Sequence, residues 1–372
     1  MKQDVLLWAQ GRTSEKLISK ETLNHAGLVE LVSGLDAYQT TPDAFRSAYA
    51  ALGIDIINRV PLHNAPPATP PGQPRSHETL PYRYSHLGLY DTAQRDTYVC
   101  ETPEEVWDLD VPSLRYQDLW TPVPHPCQAD DVRARERAIG DIGLYYPMLY
   151  TTLFMWPFEF LGWEVFMMAA AMEPDRFHEH FLAPCAAKSK AIVDEMVSAS
   201  DSPFLFVHDD LASKTGPMFD PTWYDAYIFP HYPRIWAEAK RLGKKVVYVA
   251  DGNMEAFLPR LVEVGVDGLM FETPATSLDA VKEHFGQPGR FLIGGIDTAK
   301  LTMGTADEIR EMVLDVVERM DGCPGFAIAS GGGLHGNIPL ANLEAYFDAR
   351  AEVGATPADW RISQRVEGPC PT

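Results

Sequence analysis

The 372-residue chain is poor in several things, and each shortage narrows what it can be. Its five cysteines, Cys100, Cys127, Cys185, Cys323 and Cys370, form no Cys-x-x-Cys pair and no His/Cys cluster. That argues against a disulfide framework or a thiolate-rich zinc site and for free thiols in a reducing compartment. Basic residues are scarce: 31 Lys and Arg face 52 Asp and Glu, a formal net charge of −21. Nucleic acid or an anionic membrane would repel such a surface, so neither is an expected partner. Long clean apolar runs are also missing. The most apolar stretch, from Ile142 to Phe158 and on to Met172, contains Pro147, Pro157, Glu159 and Glu164, whereas a bilayer span needs ~20 apolar residues. It reads as buried core. No charged-then-apolar leader opens the chain, and the expectation is a cytoplasmic protein. There is no Gly-x-Gly-x-x-Gly or Walker-type loop, and Gly331-Gly332-Gly333 lacks the Lys and Ser/Thr of a phosphate loop.

What is present is a regular second half. Short apolar runs rich in β-branched and aromatic residues occur at 204–208, 245–250, 268–271, 290–294 and 325–329. Between them lie segments of helical period. In 307–320, Ile309, Met312, Val313, Val316, Val317 and Met320 fall on one face. Helices are also expected over 222–242, 254–264, 277–285 and 340–349, and over 177–200 with a kink at Pro184. Strand followed by helix, five times over, is the mark of parallel βα units. Upstream, 55–60 follows a helix at 42–52, and 139–146 begins another strand. Together these units predict an α/β protein: a single (β/α)8 TIM-type barrel over 41–350, with an N-terminal extension over 1–40 and a C-terminal tail over 351–372. The Pro-rich stretches 64–81 and 121–127 are expected to be irregular loops.

A barrel of this kind builds its active site from the loops at the carboxyl ends of its strands. The residues just past each expected strand are His208-Asp209-Asp210, then Asp251-Gly252-Asn253, then Glu272, then Asp297 and finally His335. Any one of them has an ordinary explanation, since Asp and Asn at strand ends cap the next helix. Five in succession make an acidic ring with two imidazoles, and such a ring holds a cation, a proton or a cationic substrate. Oxygen ligands with imidazole suit a divalent metal such as zinc. Upstream, Trp156, Phe158, Phe160, Trp163 and Met167 supply bulky apolar side chains. Most read as core, and Trp156 and Phe158 are candidates to line a substrate pocket.

In this order and spacing the strand-end motifs resemble the uroporphyrinogen decarboxylase superfamily. The run from His208 to Pro217 is similar to its acidic-pair motif followed by Lys/Gln-x-Gly. Phe229-Pro230-His231-Tyr232 matches its Pro-x-Tyr helix, and Val249 to Asn253 its Asp-Gly-Asn loop. Gly294-Gly295-Ile296-Asp297 and Gly333-Leu334-His335-Gly336 match the last two loops. The resemblance covers roughly 140–350, with a weaker trace at 41–61. Two departures place it within the superfamily. The arginine-rich segment with which true porphyrinogen decarboxylases grip substrate carboxylates has no counterpart. The His-x-Cys zinc pair of the thiol-activating methyltransferases is replaced by Val249 and Asp251, and their distant Cys falls within Ser330–Gly333.

What remains resembles the Asp-Gly-Asn, methyltransferase-like branch. That resemblance implies methyl transfer from a small O- or N-methylated substrate to a corrinoid (cobalamin) acceptor on a partner protein. It implies Asp251, Glu272 and His335, with His208, holding a metal or proton, and Asp210 beside them in catalysis. His208, Asp209, Asn253 and Asp297, with Trp156 and Phe158, would contact substrate. Superfamily members are often dimers, so a homodimer is expected. The alternatives are a decarboxylase of a small acid, using Lys214 or Arg290 as its fixed cation, and a non-catalytic ligand-binding barrel.

Overall fold

Strands buried on both faces read as unbroken apolar runs, and the runs around 204–208, 245–250 and 268–271 become strands with those bounds. A computed structural model describes residues 2–12, 16–58, 60–64, 98–114 and 129–361. The Pro-rich stretches lie outside the described residues, Asn64 excepted. The barrel strands are β1 (Ile18–Lys20), β2 (Ile56–Ile57), β3 (Leu144–Tyr145 and Met148–Leu149), β4 (Phe204–His208), β5 (Lys245–Ala250), β6 (Gly268–Phe271), β7 (Phe291–Ile296) and β8 (Phe326–Ser330). All their pairings are parallel, and β8 pairs back onto β1. The first piece of β3 pairs with β2 and the second with β4. The two pieces are consecutive, so the sheet closes into an eight-stranded ring. Across the break the Pro147 carbonyl accepts the Phe206 amide at 2.9 Å.

Register sets which side chains face inward. Ile18, Ile56, Leu144, Phe206, Val249, Ile293 and Ala327 belong to one buried cluster, with Met148 and Met270 packed against it. They are joined row by row through Met148↔Phe206, Met270↔Val249, Met270↔Ile293, Ile293↔Ala327 and Ile18↔Ala327. This is the lumen. The alternate residues, among them Leu205, Val207, Tyr248, Leu269, Leu292 and Ile328, join the larger core between strands and helices. The helix Ala306–Arg319 faces that core with Ile309, Met312, Val313 and Val316, as its period predicts, and is opened by a Thr305–Glu308 capping box. The helix Lys2–Ala9 closes the amino end of the lumen. Its Trp8 packs on Phe204 and Phe291, the first residues of β4 and β7, at 5.6 and 4.8 Å between ring centroids. That leaves the carboxyl end for a site.

Several boundaries differ from the sequence reading. The first forty residues are no mere extension, because they supply β1. Of the expected tail, Trp360 returns to pack on Phe347 at 5.5 Å. The expected helix over 222–242 is three short pieces, Pro221–Tyr227, Tyr232–Ile235 and Ala237–Arg241, since Pro230 and Pro233 cannot donate to a continuous ladder. The helix ending at Ala199 runs back through a widened turn over His178–Leu182. That turn precedes Pro184, which has no N–H for the carbonyl four residues back. No helix among the described residues is long and apolar enough to cross a membrane.

Candidate active site at the carboxyl end of the barrel

Two-residue alternation continues past the strand ends and sorts the polar residues. His208 stands in register with Val249, a lumen residue, so its ring faces inward. Asp251 lies two beyond Val249, and Glu272 two beyond Met270. Ligand atoms of His208, Asp210 and Asp251 gather within 4.8 Å of one another. The buried His208 ring is stacked on Tyr150, 4.7 Å between centroids. Its Nδ1 donates to the Tyr150 carbonyl at 2.8 Å. That bond fixes the tautomer and turns Nε2 toward the Asp210 Oδ1, 3.3 Å away. The same Asp210 oxygen accepts the Asp251 amide at 2.9 Å. The turn after β5 that brings Asp251 there requires Gly252: its φ is +79°, and a Cβ would meet the Ala212 carbonyl oxygen at 2.3 Å.

Electrostatics follows from this packing. Burial opposes a charged His208, but the Asp210 carboxylate, helped by Asp251 and the Tyr150 carbonyl, prevails and holds it at a pKa of about 9. Burial also works against ionised Asp210, yet the His208 imidazolium and the Asp251 amide keep it below the usual carboxylate range. Asp251 is open at the mouth but has protein around most of its carboxyl. Desolvation first, then Asp210 and Glu272, push it up to about 6 against the pull of His208 and Lys20. The three groups therefore share one positive proton site between carboxylates.

The other sequence-selected residues go elsewhere. Asp209 has the parity of Leu205 and Val207 and points out of the lumen. It is fully buried; its oxygens accept the amides of Leu153, Phe154 and Met155 and the Tyr232 hydroxyl, each at 2.8 Å. Burial pushes its carboxyl up to about 6 against those bonds. It anchors a helix start and cannot orient substrate. Asp297 caps the helix Thr298–Met303, accepting Ala299 N at 2.8 Å and Lys300 N at 3.3 Å. The Asn253 Oδ1 accepts the Glu255 amide at 3.1 Å in a local turn. Trp156 is core, its Nε1 donating to Ser189 at 2.9 Å. Phe158 does line space: with Phe154, Met155, Trp163 and Asp210 it bounds a small cleft, partly open to solvent. The cleft meets the triad through Asp210. Glu272 and His335 are not among the gathered ligand atoms. Glu272 acts on Asp251 through charge alone, and His335 lies beside His25, whose charge, after burial, lowers its pKa.

Lys20 went unnoticed in the sequence. It ends β1, in register with Ala329 and Ile56, both lumen residues, and is 3% exposed. Its Nζ donates to Thr22 Oγ1 at 3.1 Å, and its charge reaches Asp251. The next residue, Glu21, has the opposite parity and sews β1 to β8. It accepts Ser330 N at 3.1 Å and Ser330 Oγ at 2.5 Å, and also the Tyr346 hydroxyl at 2.6 Å and Arg350 at 3.2 Å. A β1 of only three residues gave no apolar run by which to find either one.

The family model for uroporphyrinogen decarboxylase (URO-D) matches residues 161–353, just over half of the chain. No curated protein matches the sequence. Among solved structures, a methyltransferase from Methanosarcina mazei has a TM-score of 0.62 at 17% identity, covering 94% of this chain and 98% of its own. That is a likeness of fold. A sugar phosphate isomerase/epimerase from Parabacteroides distasonis covers 93% of this chain and 98% of its own, with a TM-score of 0.40 and 12% identity. It is too distant to bear on the site.

Proposed function

The chain belongs to the uroporphyrinogen decarboxylase family, and from that premise we propose that it is a methyltransferase. It removes a methyl group from a small O- or N-methylated compound and delivers it to a corrinoid carried by a partner protein. One observation carries the reading: an imidazole and two carboxylates converge at the barrel mouth, where a grip on a polyacid would need cations. The two cations proposed for a decarboxylase are placed differently. Lys214 is exposed on a hairpin, and Arg290 precedes β7 at the amino end, bonded to the Val266 carbonyl. The likeness to a methyltransferase over nearly the whole chain supports the same reading.

Methyl transfer breaks the carbon–heteroatom bond and leaves the electron pair on the heteroatom. An unactivated alkoxide or amide leaves poorly, so that pair must be met by a proton or a Lewis acid. His208 at Nε2 can hold the proton between Asp210 and Asp251 and release it to the departing atom. The same three residues fit a divalent ion such as zinc. They supply hard oxygen donors and an imidazole, and the Nδ1 bond to Tyr150 already orients the ring as an outer-shell partner does. A bound ion would polarise the substrate heteroatom. Phe158 and Trp163 would hold the apolar part of the substrate.

The test is elemental analysis of purified protein and of Asp251→Ala, with methyl transfer to reduced cobalamin followed by absorbance over a panel of methoxy and methylamine donors. Loss of transfer by about 100-fold or more in a variant with unchanged circular dichroism is expected, together with loss of any bound zinc. Full activity in Asp251→Ala overturns the assignment. Carbon dioxide release from a small acid without any corrinoid would favour the carboxy-lyase reading, to which Lys20 alone lends support.

A further inference from the structure

We infer that the substrate is a methylated ammonium, and that Phe158, Trp163 and Asp210 bind its charged, methyl-bearing nitrogen in the cleft beside the triad. The inference rests on the proposed methyl-transfer reading for what becomes of the methyl group, but the cation site itself is argued from the helix Met155–Met172 and from Asp210. Residues five apart on a continuous helix point about 140° away from each other. This helix breaks at Gly162, with φ +74° and ψ 168°. Past the break Trp163 comes back against Phe158, five residues earlier, with 4.4 Å between ring centroids and 36° between the ring planes. Trp163 is 39% exposed, so ring surface stays open at the edge of the cleft.

A carboxylate completes the site. Asp210 Oδ1 faces His208 Nε2 at 3.3 Å and accepts the Asp251 amide at 2.9 Å, and those partners keep the group ionised. Its Oδ2 has no hydrogen-bond partner among the described residues. Asp210 is also the one polar residue among the described residues that bound the cleft; Phe154, Met155, Phe158 and Trp163 are the others. Asp251 and Glu272 add negative charge nearby, and His208 and Lys20 offset only part of it. Charge thus favours a cation, and the walls decide which one. An inorganic ion or a primary ammonium holds its water tightly and exchanges it for several oxygens, whereas this cleft offers one carboxylate and apolar walls. A trimethyl- or dimethylammonium group spreads its charge over its methyls, gives up water at little cost and is attracted to aromatic faces. A tertiary ammonium can in addition donate its N–H to the open Oδ2. The same nitrogen suits the reaction. When its carbon–nitrogen bond breaks the electron pair stays on nitrogen, a neutral amine leaves, and the acceptor supplies the pair for the new bond to the methyl group.

Matched pairs of ligands test this by calorimetry on the full chain, in enough salt to screen the acidic exterior. Choline is set against 3,3-dimethylbutan-1-ol, its neutral isostere, and tetramethylammonium against ammonium. Wild type should bind the methylated cation about five-fold or more tightly in each pair. Trp163→Leu keeps an apolar wall without the ring and should lower the choline preference about three-fold or more, as should Asp210→Asn, while Trp163→Phe should keep most of it. Equal binding of choline and its isostere, a preference unchanged in Trp163→Leu, or no binding of either methylated cation overturns the inference. Failures of the two readings are separable. Methyl loss from a neutral methoxy donor, in protein that shows no preference for the cations, refutes the ammonium site alone. Trp163-dependent cation binding without methyl loss from any methylammonium in the presence of reduced cobalamin refutes the reaction and leaves the ammonium site standing.

Discussion

His208 is asked opposite things by its surroundings: burial favours the neutral ring, and the carboxylates of Asp210 and Asp251 favour the imidazolium, which wins with a pKa of about 9. The unfolded chain returns it to about 6.5. A histidine whose folded pKa is raised stabilises the fold fully below its unfolded pKa, and the contribution is lost as pH rises through the folded one. For metal-free protein, the free energy of unfolding in urea should therefore fall between about pH 6.5 and 9. His208→Gln should flatten that window, and an unchanged slope would refute the ion pair. At this scale the sequence was legible once parity was applied. His208 shares the inward face of Phe204 and Phe206, while Asp209 shares the outward face of Leu205 and Val207. Reading the three polar residues as one group hid that difference. Asp297 fails for another reason, since an acid before a helix is a cap wherever the first-turn amides are free.

Elements join through buried carboxylates, each of opposite parity to the site. Glu21 ties β1 to β8, and Asp209 ties β4 to the start of the helix Met155–Met172. Asp55 ties β1 to β2, accepting Lys16 at 2.8 Å and Ser19 N at 3.0 Å. Asp209→Ala would leave three buried amides and a tyrosine hydroxyl without their acceptor. Each such loss costs about 1–3 kcal/mol, so a destabilisation of about 3 kcal/mol or more is expected in urea unfolding. A change below 1 kcal/mol would show that water or neighbouring groups replace the carboxylate. That helix also carries Phe158 and Trp163, so the same variant should widen the cleft and weaken binding of apolar ligands. Element existence was readable wherever strands ran four residues or more. The strands expected within 55–60 and at 139–146 are there as the two-residue β2 and the first piece of β3, whereas the three residues of β1 offer no run long enough to show a period.

For the whole molecule, closure makes the site. The lumen is plugged at its amino end by Trp8 against Phe204 and Phe291. Trp8→Ala removes a side chain that is 2% exposed and should cost about 3–5 kcal/mol. Loss of the plug lies far from the triad, so ligand binding at the carboxyl end should persist in the folded fraction. A variant as stable as wild type would mean that the helix Lys2–Ala9 does not seal the barrel. The net charge of −21 acts at this scale too, because a strongly acidic exterior slows the approach of anionic ligands and makes their association rise with salt.

The sequence by itself determined the fold class, the later strands and helices, and which residue types stand at the strand ends, because burial on both faces of a strand and on one face of a helix writes a period into the chain. It also determined that the mouth is acidic. Only the tertiary structure decided which of those acids meet. The triad depends on the register of β4 against β5, and the anchoring of Asp209 depends on a helix start more than fifty residues upstream. Lys20 depends on β1 closing against β8, about three hundred residues away. Local periodicity is set by a residue's neighbours in the chain. Convergence is set by ring closure, which no local period encodes.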